Sequence, residues 1–276
     1  MGTCKFCGKP AGLLRSKHAE CDQQFERGKE EILAAISQAA TGAGAVDGLP
    51  ARITTIAQRS FVPDSEQRGL IVRGWAGTVD KFLEDGVLDE SEEKRLMELK
   101  ERFSLSQAEL DASGALTRVT KAAVLRDVLN GVIPQRMTVS DGLPINLQKG
   151  EQVVWVFPSS DYLEDKTRRQ YVGGSQGVSI RVMKGVYYRV GAFKGEAIDR
   201  TVRVLIDTGL VAVTNKHIYF VGSAKSTRLP YAKIVSFQPF NDGVGVIRDA
   251  SSAKPQIFVT GDGWFTYNLV TNLAKM

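Results

Sequence analysis

The sequence has few of the residues that most often carry chemistry. Among its 276 residues there are two histidines, His18 and His217, and three cysteines. A disulfide framework would leave one cysteine over. Two histidines offer no second histidine-rich metal centre. No apolar run reaches the roughly 18–20 residues that cross a bilayer as a helix, which excludes an integral helical membrane protein. The start, Met1-Gly2-Thr3-Cys4-Lys5, has no apolar stretch of the secretory kind, so a cytoplasmic, reducing location is expected. Neither the P-loop pattern nor G-x-G-x-x-G occurs. What is present is ordinary globular material: 43% hydrophobic, 24% charged and 8% aromatic residues. That balance excludes global disorder, and the length suits about two domains.

The three cysteines and one of the two histidines form a set. They read Cys4-x2-Cys7-x10-His18-x2-Cys21. Four soft or borderline donors suit one tetrahedral Zn²⁺, and a Cys-x2-Cys turn brings two thiolates to one ion. Gly8, just after the second cysteine, suits the positive φ of a tight knuckle. His18 and Cys21, three apart, share one face of a helical turn. The helix they begin is expected over Ala19 to Ala40, with Phe25, Ile32, Leu33 and Ile36 as its apolar stripe. Four protein ligands close the coordination sphere, so the expected zinc is structural. Lys5, Lys9, Arg15 and Lys17 surround the set and offset the charge of three thiolates. They could also meet phosphate. A knuckle followed by a helix carrying the second ligand pair resembles a treble-clef zinc finger, over about 35 residues.

Charge is unevenly spread. Residues 1–134 carry 18 Lys/Arg against 20 Asp/Glu; residues 135–276 carry 18 against 11. The basic half suggests an acidic partner, although a solvated surface explains the same count.

Four segments are expected: a zinc finger and helix over 1–40, a Gly-rich linker over 41–50, a helical domain over 51–134 and a β domain over 145–276. In the helical part, Leu70, Ile71, Trp75, Val79, Phe82 and Leu83 recur at helical spacing. Gly86 ends that helix. Asp89 with Glu92, and Ser106 with Glu109, read as capping boxes opening two more helices. Leu96, Leu99 and Phe103 form the buried face of the first of these. A last helix is expected from about Leu116 to Val132, carrying Val119, Ala123, Val124 and Val128. An EF-hand centred on Gly86 fails, because Lys81 and Leu83 would fall where calcium needs oxygen ligands. The phrase Phe82-Leu-Glu-Asp-Gly-Val-Leu-Asp-Glu-Ser-Glu-Glu resembles the helical modules of TerB-like and SHOCT-like proteins. That resemblance implies a scaffold or interaction surface, and this style of module implies a bacterial or phage source.

From Leu147 the period changes to two. Strands are expected over Gln152–Phe157, Val178–Lys184, Tyr187–Val190, Val202–Ile206, Gly209–Val213, His217–Val221, Ser226–Leu229, Ile234–Pro239, Gly243–Arg248 and Gln256–Thr260. Turn signals fall between them, including Asp207-Thr208-Gly209 and Thr214-Asn215-Lys216. A final helix over Trp264 to Met276 suits the cap of an open barrel. Leu147-Gln-Lys-Gly-Glu-Gln-Val-Val-Trp-Val, Gly209 to Gly222 and Leu229-Pro-Tyr-Ala-Lys-Ile-Val-Ser236 resemble the corresponding parts of GRAM and bacterial PH-like domains. The resemblance covers roughly 145–276, with an insertion around Tyr171–Lys194. It implies an antiparallel PH-like β-barrel with a capping helix, which binds lipid in some relatives and protein in others. The expected fold class is therefore a multidomain α+β protein.

Gly173-Gly-Ser-Gln-Gly177 matches G-x-S-x-G, and Ser175, Asp199 or Asp207, and His217 follow hydrolase chain order. The motif works on a strand-to-helix elbow of an α/β sheet. Here a strand follows and no βαβ pattern surrounds it, so no enzyme is expected. A non-enzymatic binding or adaptor protein with a protein partner is the leading expectation. Two alternatives use the basic β domain: nucleic-acid binding, or reversible attachment to an anionic membrane surface. Arg168, Arg169, Arg181, Lys184, Arg189 and Lys194 are candidate anion or partner contacts for either.

Overall fold

The computed structural model describes residues 2–12, 15–42, 46–137, 142–172, 178–183, 186–190, 196–250 and 254–276, and within 167–201 the backbone alone. The chain divides into two units, Met1–Val132 and Ile133–Met276.

The first unit opens with a small hairpin, β1 (Gly2–Thr3) and β2 (Pro10–Gly12). Helices α1 (Ala19–Ala40), α2 (Leu49–Arg59), α3 (Asp64–Phe82), α4 (Glu90–Arg102), α5 (Gln107–Asp111) and α6 (Ala115–Leu129) follow. One hydrophobic core runs through them from Phe25 to Ala123, so the finger helix and the later helices share a single interior. Within α1, Phe25, Ile32 and Ile36 are buried as the stripe requires; Leu33 is partly buried. Trp75 is fully buried in α3 and its Nε1–H donates to the Leu96 carbonyl of α4 at 2.8 Å. Both capping boxes form: Asp89 accepts from the Glu92 N–H at 2.8 Å, and Ser106 from the Glu109 N–H at 3.3 Å. Two glycines set helix crossings. A Cβ on Gly28 would lie 2.0 Å from the Ser60 hydroxyl, and one on Gly74 would lie 2.6 Å from Ile36 Cδ1.

The second unit is strand-rich. Strands β3 (Val153–Val172), β4 (Val178–Met183), β5 (Val186–Val190), β6 (Glu196–Thr214), β7 (His217–Gly222), β8 (Ser226–Pro230), β9 (Ile234–Pro239), β10 (Gly243–Arg248) and β11 (Gln256–Val259) precede helix α7 (Gly263–Leu273). Seven of them make one antiparallel sheet in the order β8-β7-β6-β3-β11-β10-β9, and β4 pairs with β5 separately. The architecture is mixed α+β. Among the described residues no sheet closes on itself; β8 and β9 are the two edges.

Three expectations change. Val202–Ile206 and Gly209–Val213 are parts of one strand, β6, so Asp207-Thr208-Gly209 is not a chain reversal. The reason is tertiary: β3 pairs with β6 across this stretch, with Tyr162 opposite Asp207 and Ser160 opposite Gly209. The expected strand Gln152–Phe157 likewise continues past Pro158, where the ladder to β6 is interrupted at residues 158 and 159. Proline lacks the N–H a ladder needs, and such an irregularity bends a strand. The expected insertion is built on a β3–β6 ribbon that stays paired as far as Val172 opposite Glu196.

The second interior is aromatic. The Trp155 and Phe265 rings meet edge to face at 5.0 Å, and Tyr162 lies 5.1 Å from Phe220 and 5.4 Å from Phe258. Phe265, Leu269, Val270 and Leu273 are the buried face of α7, which packs on β9 and β10.

Candidate metal centre

The knuckle is made by local backbone bonds. The Cys4 N–H donates to the Lys9 carbonyl at 2.8 Å, and the Gly8 N–H to the Cys4 carbonyl at 2.9 Å. Gly8 has φ +72°, the left-handed conformation a glycine adopts without steric cost. The turn places Cys4 and Cys7 on one side. On the other, His18 is the N-cap of α1 and Cys21 stands in its first turn. The His18 N–H points at Cys4 Sγ at 3.4 Å.

The four donor atoms lie within 4.8 Å of one another, so Cys4, Cys7, His18 and Cys21 are close enough to bind one metal ion. His18 Nδ1 is 3.4 Å from Cys7 Sγ and 3.7 Å from Cys21 Sγ. Metal–sulfur bonds of about 2.3 Å and metal–nitrogen bonds of about 2.0–2.1 Å give a tetrahedral S···N edge of about 3.6 Å. The donor set therefore fits a tetrahedral ion of that size. His18 Nε2 is 3.0 Å from the Pro10 carbonyl oxygen. A carbonyl only accepts, so the ring proton sits on Nε2 and the Nδ1 lone pair faces the sulfurs. Such an outer hydrogen bond fixes the orientation of a ligating imidazole.

The ionisation of the cluster suits a cation. Burial pushes the Cys4 thiol up, but the N–H groups of Cys7, His18 and Phe6 and the Cys7 sulfur outweigh it and hold Cys4 at about 6. Burial, then the Cys7 and Cys4 sulfurs, pushes Cys21 up to about 11. The Pro10 carbonyl first, then Cys7, holds the His18 ring above its ordinary pKa against burial. Three sulfurs in contact cannot all ionise at neutral pH without a compensating charge, which a divalent ion supplies.

The site is joined to the helical core. Phe6, inside the knuckle, lies 4.9 Å from the Phe25 ring of α1 and 6.0 Å from the Phe61 ring. Phe61 occupies φ +60° between α2 and α3, a conformation that costs about 1–3 kcal/mol for a residue other than glycine. Packing against Phe6 helps hold it there.

Of the candidate anion contacts, Lys184 and Lys194 lie outside the described residues. Arg168, Arg169, Arg181 and Arg189 are placed by backbone only, on β3, β4 and β5. Ser175 also lies outside the described residues. Asp207 accepts N–H groups from Ala224, Lys225 and Thr208, which hold it below the usual carboxylate range and tie it to the β7–β8 turn. His217 is buried at the start of β7, with Nδ1 2.7 Å from Glu151 Oε1. Glu151 also accepts from the Thr214 hydroxyl at 2.6 Å, the Tyr219 hydroxyl at 2.9 Å and the Gln148 N–H at 2.7 Å. Burial opposes the charge of Glu151, yet these donors keep its pKa below the ordinary value. This network escapes sequence reading, because its members have no motif spacing and Glu151 stands 66 residues from His217.

No protein-family model, curated protein or solved structure matches the chain. Among the described residues, no helix is long and apolar enough to cross a membrane.

Proposed function

We propose that the protein is a non-enzymatic adaptor, with one structural Zn²⁺ held by Cys4, Cys7, His18 and Cys21 and a PH-like second unit that binds a protein partner. The observation that carries the reading is the complete set of four protein donors, three sulfurs and an oriented imidazole, within 4.8 Å of one another. Such a set leaves no open position for substrate. Bound there, the ion cross-links the knuckle to the N-terminus of α1.

The PH-like reading is supported by two antiparallel three-strand meanders, β6-β7-β8 and β9-β10-β11, joined through β3, and by α7 packed on β9 and β10. Protein binding is favoured by the open edge. Strand β9 lies at the edge of the sheet among the described residues, and it presents Val235 with 65% of its surface exposed. An unpaired strand edge offers N–H and C=O groups to an added strand, and apolar side chains beside it give specificity.

Full-chain protein used as bait should retain one partner in fixed stoichiometry, and Val235→Asp should release it. Robust turnover of nucleotides, esters or lipids by the purified chain would overturn the reading. So would retention of nucleic acid alone, with the steep salt dependence of phosphate contacts. Nucleic-acid and membrane binding otherwise rest on the net basic charge of residues 135–276.

A further inference from the structure

A cleft of about 440 Å³ in the second unit is lined by Gln148, His217, Arg228, Leu229, Pro230, Lys233 and Arg248. Its lining carries three cations and no acidic side chain; the Glu151 carboxylate lies behind His217. The three cations come from the middle of β8, the 3-10 turn Tyr231–Lys233 and the end of β10. Only the fold brings them together. All three are exposed, so each can swing onto a ligand at the mouth. Cations around a concave surface concentrate the field inside it, and a guanidinium presents a planar fork suited to phosphate oxygens.

The floor is fixed. His217 is 5% exposed, and its Nδ1 faces Glu151 Oε1, an atom that only accepts. The Nδ1 proton is therefore committed to Glu151, leaving Nε2 as a lone-pair acceptor that can take a hydrogen bond from a singly protonated phosphate. Glu151 is held in turn by Thr214, Tyr219 and Gln148. The buried carboxylate spends its lone pairs on these donors and orients the imidazole. A fixed acceptor on the floor and three exposed cations at the rim suit a phosphate that keeps one proton.

We propose that this cleft binds the phosphate of a phosphomonoester, carried either by a small soluble molecule or by a lipid headgroup. A volume of this size accommodates a phosphate together with a polar remainder. The proposal is independent of the adaptor reading, which concerns the β9 edge and the metal centre.

The test uses the full chain at fixed ionic strength. Glycerol 3-phosphate is titrated by calorimetry, and phosphatidylcholine vesicles with and without phosphatidic acid are tested by co-sedimentation. Binding of glycerol 3-phosphate, absent with glycerol, identifies a soluble source. Binding only to the phosphatidic acid vesicles identifies a headgroup. In either case Arg228→Gln, Lys233→Gln and Arg248→Gln should each weaken binding about tenfold, the loss expected for one hydrogen bond to a charged group. Lys275→Gln should leave it unchanged. Binding to neither probe overturns the proposal. So does an effect of Lys275→Gln equal to that of the cleft variants, because the attraction would then be diffuse surface charge.

Discussion

His18 uses both ring nitrogens in the candidate metal centre. Nε2 is spent on the Pro10 carbonyl and Nδ1 is turned toward two sulfurs. Replacing Cys7 by Ser removes one of four donors, so bound zinc should fall from one per chain to well below it, read by metal analysis. Hydrogen exchange should quicken through the knuckle and the start of α1 in the same variant. Because thiols must lose protons to ligate, zinc affinity should rise with pH, measured by chelator competition between about pH 6 and 8. A second residue-scale case is Glu109. The Arg68 guanidinium grips it at 2.7 and 2.8 Å, and with Ser106 holds its carboxyl at about 2, below the ordinary 4.5. A depressed carboxylate contributes stability above its unfolded pKa and loses it as pH falls toward the folded one. Unfolding followed between pH 4.5 and 2 should therefore show a shallower acid limb for Glu109→Gln than for the natural chain.

At the scale of elements, most helices were legible and the long strands were not; α2 opens at Leu49, inside the expected 41–50 linker. Helical spacing and caps are local, so α1 and the capping boxes at Asp89 and Ser106 followed from neighbours within four residues. Strand length is set by a partner elsewhere in the chain. Asp207-Thr208-Gly209 carries turn residues, yet β3 holds it extended and the Asp207 carboxylate is used to close the β7–β8 turn. Helix packing is likewise tertiary. Gly28 of α1 admits Ser60 so closely that an added methyl would collide with both Oγ and Cβ, at 2.0 and 2.2 Å. Overpacking of this kind costs about 1–3 kcal/mol. Gly28→Ala should lower the stability of the first unit by that amount in denaturant unfolding, despite the better helix propensity of alanine.

Across the whole molecule, two interiors are built by different means. The first unit has a four-donor cluster able to bind one metal ion and a helical core, joined through Phe6, Phe25 and Phe61. An ion that binds only the folded state stabilises it by about 4 kcal/mol when present at a thousand times its dissociation constant. Chelation should therefore lower the thermal midpoint of this unit by about 10 °C or more, followed by near-ultraviolet circular dichroism. The second unit draws on an aromatic interior and on the buried Glu151–His217 network. Removing the acceptor with Glu151→Leu would leave the Thr214, Tyr219 and His217 donors without it, a loss of about 2–4 kcal/mol.

The sequence alone determined the four candidate metal donors, most of the helices and the change to strands after Leu147, because each depends on residue type and short spacing. Tertiary structure alone decided which glycines meet a neighbour and that β6 is one strand. It also gathered Gln148, His217, Arg228, Lys233 and Arg248 around one cleft. Those features depend on contacts between distant parts of the chain, and no local pattern encodes a distance that folding has yet to create.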